Sequence, residues 1–396
     1  MTARDWDSRM NRFTVLDSFR GICAIAVVLF HTYVVNSFAE MAFFKNAYLF
    51  VEFFFILSGF VLYHTYSHRL NGLGDYKNFV ITRTLRLYPL HLAMLAVYIA
   101  LECGKLIAER SGLHFNDGAF AGATAPDEFL PNLLLLQAWL SDTITGSFNY
   151  PSWSISIEYY LYLLFGAIMI VTRNEHLKLF FLISLLSFIA LCLPETPVKD
   201  SIFRGGSCFF AGACTYVIYT KIKHIQLSQL TFTALELISV ICAYSIMVSE
   251  IPHKGVIASL LFCGLILIFS FERGSVSRLL QGQYFIKLGN LSFSIYLTHA
   301  AVLYVFKSAA ILVGKLTGKE FMTAALPSHD VPPMMIKYMT TGSAVTDDLV
   351  VLAQLVSVIF ISRYTYKYIE LTGVALGKRL TKKKLVTNEA LQNNSA

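Results

Sequence analysis

The chain has 396 residues, of which 56% are hydrophobic and only 14% are charged. Soluble globular proteins are typically about 45–50% apolar and about 25% charged, so this composition excludes an ordinary water-soluble domain and indicates a lipid environment. The net charge is +7, but Lys and Arg stand in short segments between apolar runs, a pattern typical of membrane proteins and not of nucleic-acid binding.

A helix needs about 20 mostly apolar residues to cross a bilayer, and about ten segments of the chain meet that requirement. Their approximate ranges are 15–36, 47–66, 88–107, 152–171, 178–194, 202–220, 230–249, 255–271, 288–308 and 349–371. The polar residues before the first segment do not resemble a cleavable leader, so we expect that segment to be retained. The sequence therefore predicts an all-α, polytopic integral membrane bundle of about ten transmembrane helices.

Most Lys and Arg lie in one alternate set of loops, which the positive-inside rule assigns to the cytoplasm. Both termini are then cytoplasmic, and the number of crossings is even. We expect residues 1–372 to form one transmembrane domain and residues 373–396 to form a basic, disordered tail. The seven cysteines form no CxxC pair, so they predict neither a metal site nor a disulfide framework.

Ionisable residues within spans cost about 2.5–3.5 kcal/mol each, which makes them the first candidates for function. These residues are Arg20, His31, Glu52, Glu158, Arg204, His299, Arg363 and Glu370. Arg20 and His31 share one face of the first span and lie about 16 Å apart along its axis. This spacing suits a charge that anchors one end of a long ligand, with chemistry at the other end. Alternatively, Arg20 snorkels to headgroups and His31 bonds within the bundle.

The second span carries Ser58 and Gly59 near mid-membrane, where small residues favour close helix packing. The loop after this span reads RTLRLYPLH, with Arg83 and Arg86 three residues apart, so that they share a helical face at the inner surface. Pro89 marks the predicted start of the third span. Forked Arg donors suit phosphates, although the positive-inside rule also accounts for paired arginines.

The fourth span opens PSWSISIEYYLYLLF, with Ser152 and Trp153 at its predicted outer end. Glu158 lies about 9 Å below the outer surface and His31 about 7 Å below it, which makes them candidate neighbours. A carboxylate beside an imidazole fixes its tautomer and raises its basicity. Alternatively, Ser154 or the backbone satisfies Glu158.

The ninth span reads LGNLSFSIYLTHAAVLY and carries Tyr296 below His299. A structural role for His299 is the alternative to a role in the site. The last span ends KYIEL, where Glu370 is expected to form a salt bridge with a loop arginine.

Together these segments resemble the acyltransferase-3 family of membrane acyltransferases. The matching segments, in chain order, are LDSFRGICAIAVVLFH, FFFILSGFVL, RTLRLYPLH, PSWSISIEYYLY, LGNLSFSIYLTH and RYTYKYIEL. The last segment departs from the family pattern, because Thr372 stands where a proline commonly follows the glutamate.

The resemblance implies transfer of an acyl group, often acetyl, from cytoplasmic acyl-CoA to a hydroxyl of a carbohydrate or lipid-linked glycan at the outer face. It further implies a multi-pass protein of the bacterial cytoplasmic membrane, in contact with its lipids, without a permanently bound cofactor and without nucleic acid as a partner.

The predicted catalytic residues are His31, as general base or transient acyl carrier, and Glu158, which orients it. The predicted substrate-binding residues are Arg20, Ser58, Arg83, Arg86, Ser152, Trp153, Tyr296 and His299. A transporter or flippase for a glycan or lipid precursor is the alternative function, with the buried charges lining a pathway. Inverted repeats would favour a transporter, and the sequence reveals none.

Overall fold

The computed structural model describes residues 12–112, 118–172, 175–194, 196, 198–325 and 336–381. The α-helices are α1 (Thr14–Phe30), α2 (Ala42–Lys45), α3 (Phe50–Tyr66), α4 (Leu73–Arg110), α5 (Phe129–Leu133), α6 (Ser152–Thr172), α7 (His176–Ala190), α8 (Asp200–Ile222), α9 (Gln229–Val248), α10 (Lys254–Phe269), α11 (Ser275–Leu280), α12 (Gln283–Thr317) and α13 (Ala344–Thr365). Short 3-10 turns are Phe38–Glu40, Ala47–Leu49, Gly122–Thr124 and Pro126–Glu128. Two strands, β1 (Met322–Ala325) and β2 (Ile336–Met339), pair antiparallel in a small sheet.

Each predicted span falls on one of the longer helices of this bundle. Within the described ranges, six helices are long and apolar enough to cross a membrane: Ala47–Tyr66, Leu73–Arg110, Ser152–Thr172, Gln229–Val248, Gln283–Thr317 and Ala344–Thr381. The predicted all-α membrane architecture is confirmed at this level. The number of about ten crossings and the cytoplasmic location of the termini stay predictions.

The outer surface of the bundle is strongly apolar. On α9, for example, Leu237, Ile238 and Ile241 are 48%, 57% and 60% exposed. Exposed apolar surface on this scale is unfavourable in water and favourable against lipid tails. The exposed side chains therefore agree with the hydropathy of the helices.

Helices α3 and α8 cross where each carries a glycine. A Cβ atom added to Gly59 would lie 1.8 Å from the carbonyl oxygen of Phe209, and one added to Gly212 would lie 1.9 Å from that of Ile56. No side chain fits at such distances, so the two backbones are in direct contact. The sequence-based expectation of close packing at Gly59 is confirmed.

Helices α1 and α12 also approach through glycines. A Cβ on Gly21 would lie 2.6 Å from the backbone nitrogen of Gly289, and one on Gly289 would lie 2.1 Å from the carbonyl oxygen of Asp17. Ten residues further along each helix stand His31 and His299. The two helices therefore run in the same direction, and the glycine contact sets the register that brings the histidines together.

Helix α4 begins earlier than the predicted third span 88–107. It starts at Leu73, includes both arginines of RTLRLYPLH, and passes through Pro89 without ending. A proline is tolerated inside a membrane helix when neighbouring groups satisfy the freed carbonyl. The arginines predicted to lie in a loop therefore stand on a continuous helix.

The C-terminal helix passes the predicted domain boundary at residue 372. After α13 comes a π-helical turn, Tyr366–Glu370, and the helix then continues to Thr381. A Cβ on Gly373 would lie 2.3 Å from a backbone carbonyl of α4, so this part is held by close packing against α4. The rest of the predicted tail, 382–396, lies outside the described residues.

Arg12 and Lys378 line one cavity, so the two described ends of the chain lie at the same end of the bundle. We expect this end to be cytoplasmic. A fluorescent reporter fused after Thr381 should be active in the cytoplasm, whereas a secretion-dependent enzyme reporter inserted at Thr340 should be active outside. A reporter at Thr381 that is active only outside would contradict the predicted orientation.

Candidate active site

Two histidines from different helices form a pair inside the bundle. His31 lies at the C-terminal end of α1, and its Nδ1 is 3.0 Å from Nε2 of His299 on α12. The rings are stacked, with centroids 5.0 Å apart. His31 is partly buried, whereas His299 is fully buried. His31 is therefore the accessible member of the pair, and His299 lies behind it in the interior of the bundle.

His31 lines a cavity of about 310 Å³ that we call the histidine cavity, with Tyr150, Trp153, Arg204 and Tyr296 as further walls. The ring of Tyr150 lies 4.7 Å from that of His31, centroid to centroid. Aromatic faces with a few fixed polar groups are typical of sites for small organic ligands. The cavity therefore presents one imidazole to a ligand held between aromatic rings.

Arg204 is fixed by two neighbours of the histidine cavity. Its Nε donates to Oε1 of Glu52 at 2.7 Å, and its guanidinium lies 5.0 Å from the ring centroid of Trp153. Sequence reasoning noted both ionisable residues but assigned them no role. Glu52 and Arg204 lie in distant segments, so the sequence does not predict their contact. Their position within predicted spans is the sequence feature that marks each of them as a candidate.

A second cavity of about 520 Å³, which we call the arginine cavity, lies at the other end of α1. Its charged lining residues are Arg12, Asp17, Arg20, Arg83, Arg86, Glu158, Glu370 and Lys378. The predicted donor-binding arginines are therefore brought together. Cations outnumber carboxylates in this lining, so the cavity favours an anionic ligand.

Aromatic rings hold Arg83 in place. Its guanidinium lies 5.1 Å from the ring centroid of Tyr66, 5.5 Å from that of Tyr162 and 5.9 Å from that of Phe79. Its Nε is buried without a hydrogen-bond partner in the described part of the chain. Such a buried donor is costly unless a ligand satisfies it.

Glu370 is buried inside the bundle instead of standing in a surface salt bridge. It accepts a hydrogen bond from Ser294 Oγ at 3.0 Å, and it lines the arginine cavity. The turn that carries it is π-helical, a feature frequent at functional sites. Its carboxylate acts electrostatically on Arg86, which also lines the cavity.

Glu158 does not contact His31 among the described residues. Its carboxylate accepts hydrogen bonds from Ser58 Oγ, at 2.5 Å, and from the hydroxyl of Tyr162. It lines the arginine cavity together with Ser58. The expected His31–Glu158 pair is therefore replaced by the histidine pair, because equal depth in the membrane does not determine which way each helix face points.

The predicted neighbours at the start of α6 separate into different surroundings. Trp153 lines the histidine cavity. Ser152 is fully buried and its hydroxyl accepts a hydrogen bond from Gln137 Nε2 at 3.1 Å, so it serves the packing of a loop and is not placed to contact a substrate. Adjacent residues of an α-helix point about 100° apart, so Ser152 and Trp153 face different surroundings although they are neighbours in the sequence.

Val51 and Tyr296 belong to the walls of both cavities. The hydroxyl of Tyr296 accepts a hydrogen bond from Ser154 Oγ at 2.9 Å, which fixes the ring between the two spaces. Both residues are buried. Two side chains therefore separate a cation-lined space from the space that holds His31.

Comparison with known proteins gives a family match. The family described as an acyltransferase domain, acyltransferase-3, matches residues 13–326. This range contains α1 to α12. It includes the two predicted catalytic residues, His31 of the histidine cavity and Glu158 of the arginine cavity. No solved structure matches the chain.

Two curated relatives are similar over shorter stretches. Acyltransferase MdmB of Streptomyces mycarofaciens is 36% identical over 116 residues, which are 29% of this chain and 26% of that protein. Protein 2 in the picA locus of Rhizobium radiobacter is 35% identical over 159 residues, which are 37% of this chain and 77% of that protein. The match thus spans only about a quarter of the length of the acyltransferase MdmB.

Proposed function

The chain belongs to the acyltransferase-3 family of integral membrane acyltransferases, and we propose that it transfers an acyl group, acetyl in particular, from acyl-CoA to a hydroxyl. The proposed acceptor is a carbohydrate or a lipid-linked glycan at the outer face of the bacterial cytoplasmic membrane. One observation carries this proposal: a cation-lined cavity and a histidine cavity share the wall formed by Val51 and Tyr296.

The arginine cavity is the proposed site of the donor. CoA carries several phosphate charges, and guanidinium groups bind phosphate through forked pairs of hydrogen bonds. Arg20, Arg83 and Arg86 line the space, and Glu158 beside Ser58 adds a hydrogen-bond acceptor suited to the amide N–H groups of the pantetheine arm. The thioester would then point along α1 towards Tyr296.

The histidine cavity is the proposed site of the acceptor. Its aromatic walls match the apolar faces of a sugar ring, and Arg204 offers hydrogen-bond donors to sugar oxygens. An acceptor in this space would have its hydroxyl beside His31, and the donor thioester would reach that hydroxyl past the side chains of Val51 and Tyr296.

The chemistry follows from that placement. His31 takes the proton of the acceptor hydroxyl as the oxygen forms a bond to the thioester carbonyl carbon. The carbon–sulfur bond then breaks, the acyl group stays on the acceptor, and the proton passes from the imidazole to the CoA sulfur. Atoms and charges balance without a metal or redox partner in the step.

Arg86→Lys is expected to raise KM for acyl-CoA more than KM for the acceptor, because lysine keeps the charge and loses the fork. One lost charge-assisted hydrogen bond predicts a rise of about tenfold or more. Initial rates with each substrate varied in turn measure the two KM values. Arg363→Lys is the matched control, because Arg363 is exposed on the last spanning helix. Equal effects of Arg86→Lys on both KM values would contradict donor binding.

The proposed function is tested with purified protein in liposomes and acetyl-CoA labelled in the acetyl group. We expect slow release of labelled acetate without an acceptor and a labelled ester when a glycan acceptor is supplied. Lipid flipping that does not depend on CoA, with no cleavage of the thioester, would instead support the transporter function.

A further inference from the structure

We propose that His299 is a positioning residue: it holds His31 in the tautomer that carries its hydrogen on Nδ1, which leaves the Nε2 lone pair for the substrate. The proposal rests on the proposed function only where it takes His31 as the general base. The tautomer itself follows from hydrogen-bond geometry and can be measured without turnover.

The tautomer of His299 is determined by the backbone of its own helix. Its Nδ1 lies 2.8 Å from the carbonyl oxygen of Tyr296 and 3.3 Å from that of Ile295. A carbonyl oxygen only accepts hydrogen bonds, so Nδ1 of His299 carries a hydrogen and donates it. In the neutral imidazole the other nitrogen, Nε2, is then an acceptor.

This acceptor determines the tautomer of His31. Nδ1 of His31 lies 3.0 Å from Nε2 of His299 and 3.1 Å from the carbonyl oxygen of Val27. Both partners are acceptors, so the hydrogen must be on Nδ1 of His31. The Val27 oxygen also accepts the backbone N–H of His31, so His299 is the side-chain acceptor of this ring and Val27 a backbone acceptor shared with the chain.

The consequence is that Nε2 of His31 is the basic nitrogen. His31 lines the histidine cavity, whereas His299 is fully buried behind it. When Nε2 takes the acceptor's proton, the positive charge spreads over a ring whose Nδ1–H still donates to His299. A base presented by the Nδ1–H tautomer needs no rearrangement before it reacts.

A neutral orienting group suits this position. A carboxylate would stabilise the imidazolium more strongly, but an ionised carboxylate deep in a bundle is costly to desolvate. A neutral histidine on a helix can donate a hydrogen bond to its own backbone and accept one from a neighbour at the same time. It therefore fixes the tautomer of that neighbour without burying a charge. The sequence prediction of His299 as a substrate-binding residue is replaced by this indirect role.

The tautomer is tested by NMR of protein labelled with ¹⁵N at histidine only, with His31→Gln used to assign the His31 signals. Protonated and unprotonated ring nitrogens have well-separated chemical shifts. We expect wild-type His31 to carry its hydrogen on Nδ1, and we expect the Nε2–H form to gain population in His299→Leu. A wild-type signal from the Nε2–H form would overturn the proposal.

Kinetics supply the second readout. His299→Leu removes one of the two acceptors that Nδ1 of His31 contacts and should lower kcat about tenfold, the size of one neutral hydrogen bond, with both KM values near wild type. His299→Gln keeps an acceptor oxygen and should recover most of that loss. The matched control is His91→Leu, since His91 is equally buried but bonds the backbone oxygen of Asn132. It should leave kcat and the His31 spectrum unchanged.

A His299→Leu variant that matches wild type in both kcat and tautomer would refute the positioning role. The proposed function fails separately, if His31→Gln keeps wild-type turnover. In that case a tautomer that still responds to His299→Leu would leave the positioning role in place and remove only the assignment of His31 as base.

Discussion

Replacing His31 with glutamine is expected to remove turnover while the protein still folds and still binds acyl-CoA. Glutamine is polar and of similar reach, so it can keep the hydrogen bond to His299, but it cannot take a proton from a hydroxyl. A general base contributes about 10²–10⁴-fold to a rate, so kcat should fall by about that factor. Turnover of labelled acetyl-CoA measures the fall in kcat. Equilibrium binding of CoA shows whether the arginine cavity still binds the donor.

His64→Gln is the matched control for that change. His64 is a histidine of α3 whose Nδ1 lies 2.8 Å from the hydroxyl of Tyr216, and it lines neither described cavity. Its replacement should leave kcat near wild type. Residual turnover above about a third in His31→Gln, far outside the general-base range, would make His31 a packing residue.

Gly59→Ala is expected to prevent assembly of the bundle, although it adds a single methyl group. The added carbon would lie 1.8 Å from the carbonyl oxygen of Phe209, and backbone cannot move aside as a flexible side chain can. Overpacking a tight core typically costs about 1–3 kcal/mol of stability. A clash with backbone is expected to cost as much as the upper end of that range or more. Because α3 carries Ser58 and borders both cavities, separation from α8 should also abolish activity.

Size-exclusion profiles and thermal unfolding in detergent measure this effect. Gly264→Ala is the matched control, because Gly264 is also inside a helix, in α10, and a Cβ there meets nothing within 4 Å. That variant should be as stable as wild type or slightly more stable, since alanine loses less backbone entropy on folding. Wild-type yield and melting temperature for Gly59→Ala would show that the α3–α8 crossing is looser than the structure has it.

Much of the architecture follows from local sequence. A run of about 20 apolar residues must form a helix in lipid, because every backbone N–H and C=O needs a partner there. That requirement acts on each segment separately, which is why all the predicted spans fall on helices. Ionisable residues inside such runs are also visible in the sequence, and Arg20 and His31 each line one of the two cavities. The paired arginines Arg83 and Arg86, just before a predicted span, line the arginine cavity as well.

Element ends are less accessible to sequence reasoning. Pro89 suggested the start of a helix, yet α4 continues through it. The sequence predicted that the last helix ends near residue 372, yet the helix continues to Thr381, and Gly373 packs against α4. In both cases a contact with a distant segment outweighs the local signal.

Only the tertiary structure decided which side chains meet. Depth along a span can be counted from the sequence, but the direction in which each helix face points is set by packing against other helices. The contact of Gly21 with Gly289 sets the register of α1 and α12 and so places His31 on His299, 268 residues away. Glu158, at a similar predicted depth, faces Ser58 and the arginine cavity, because the rotation of α6 is a property of the assembled bundle and not of its own sequence.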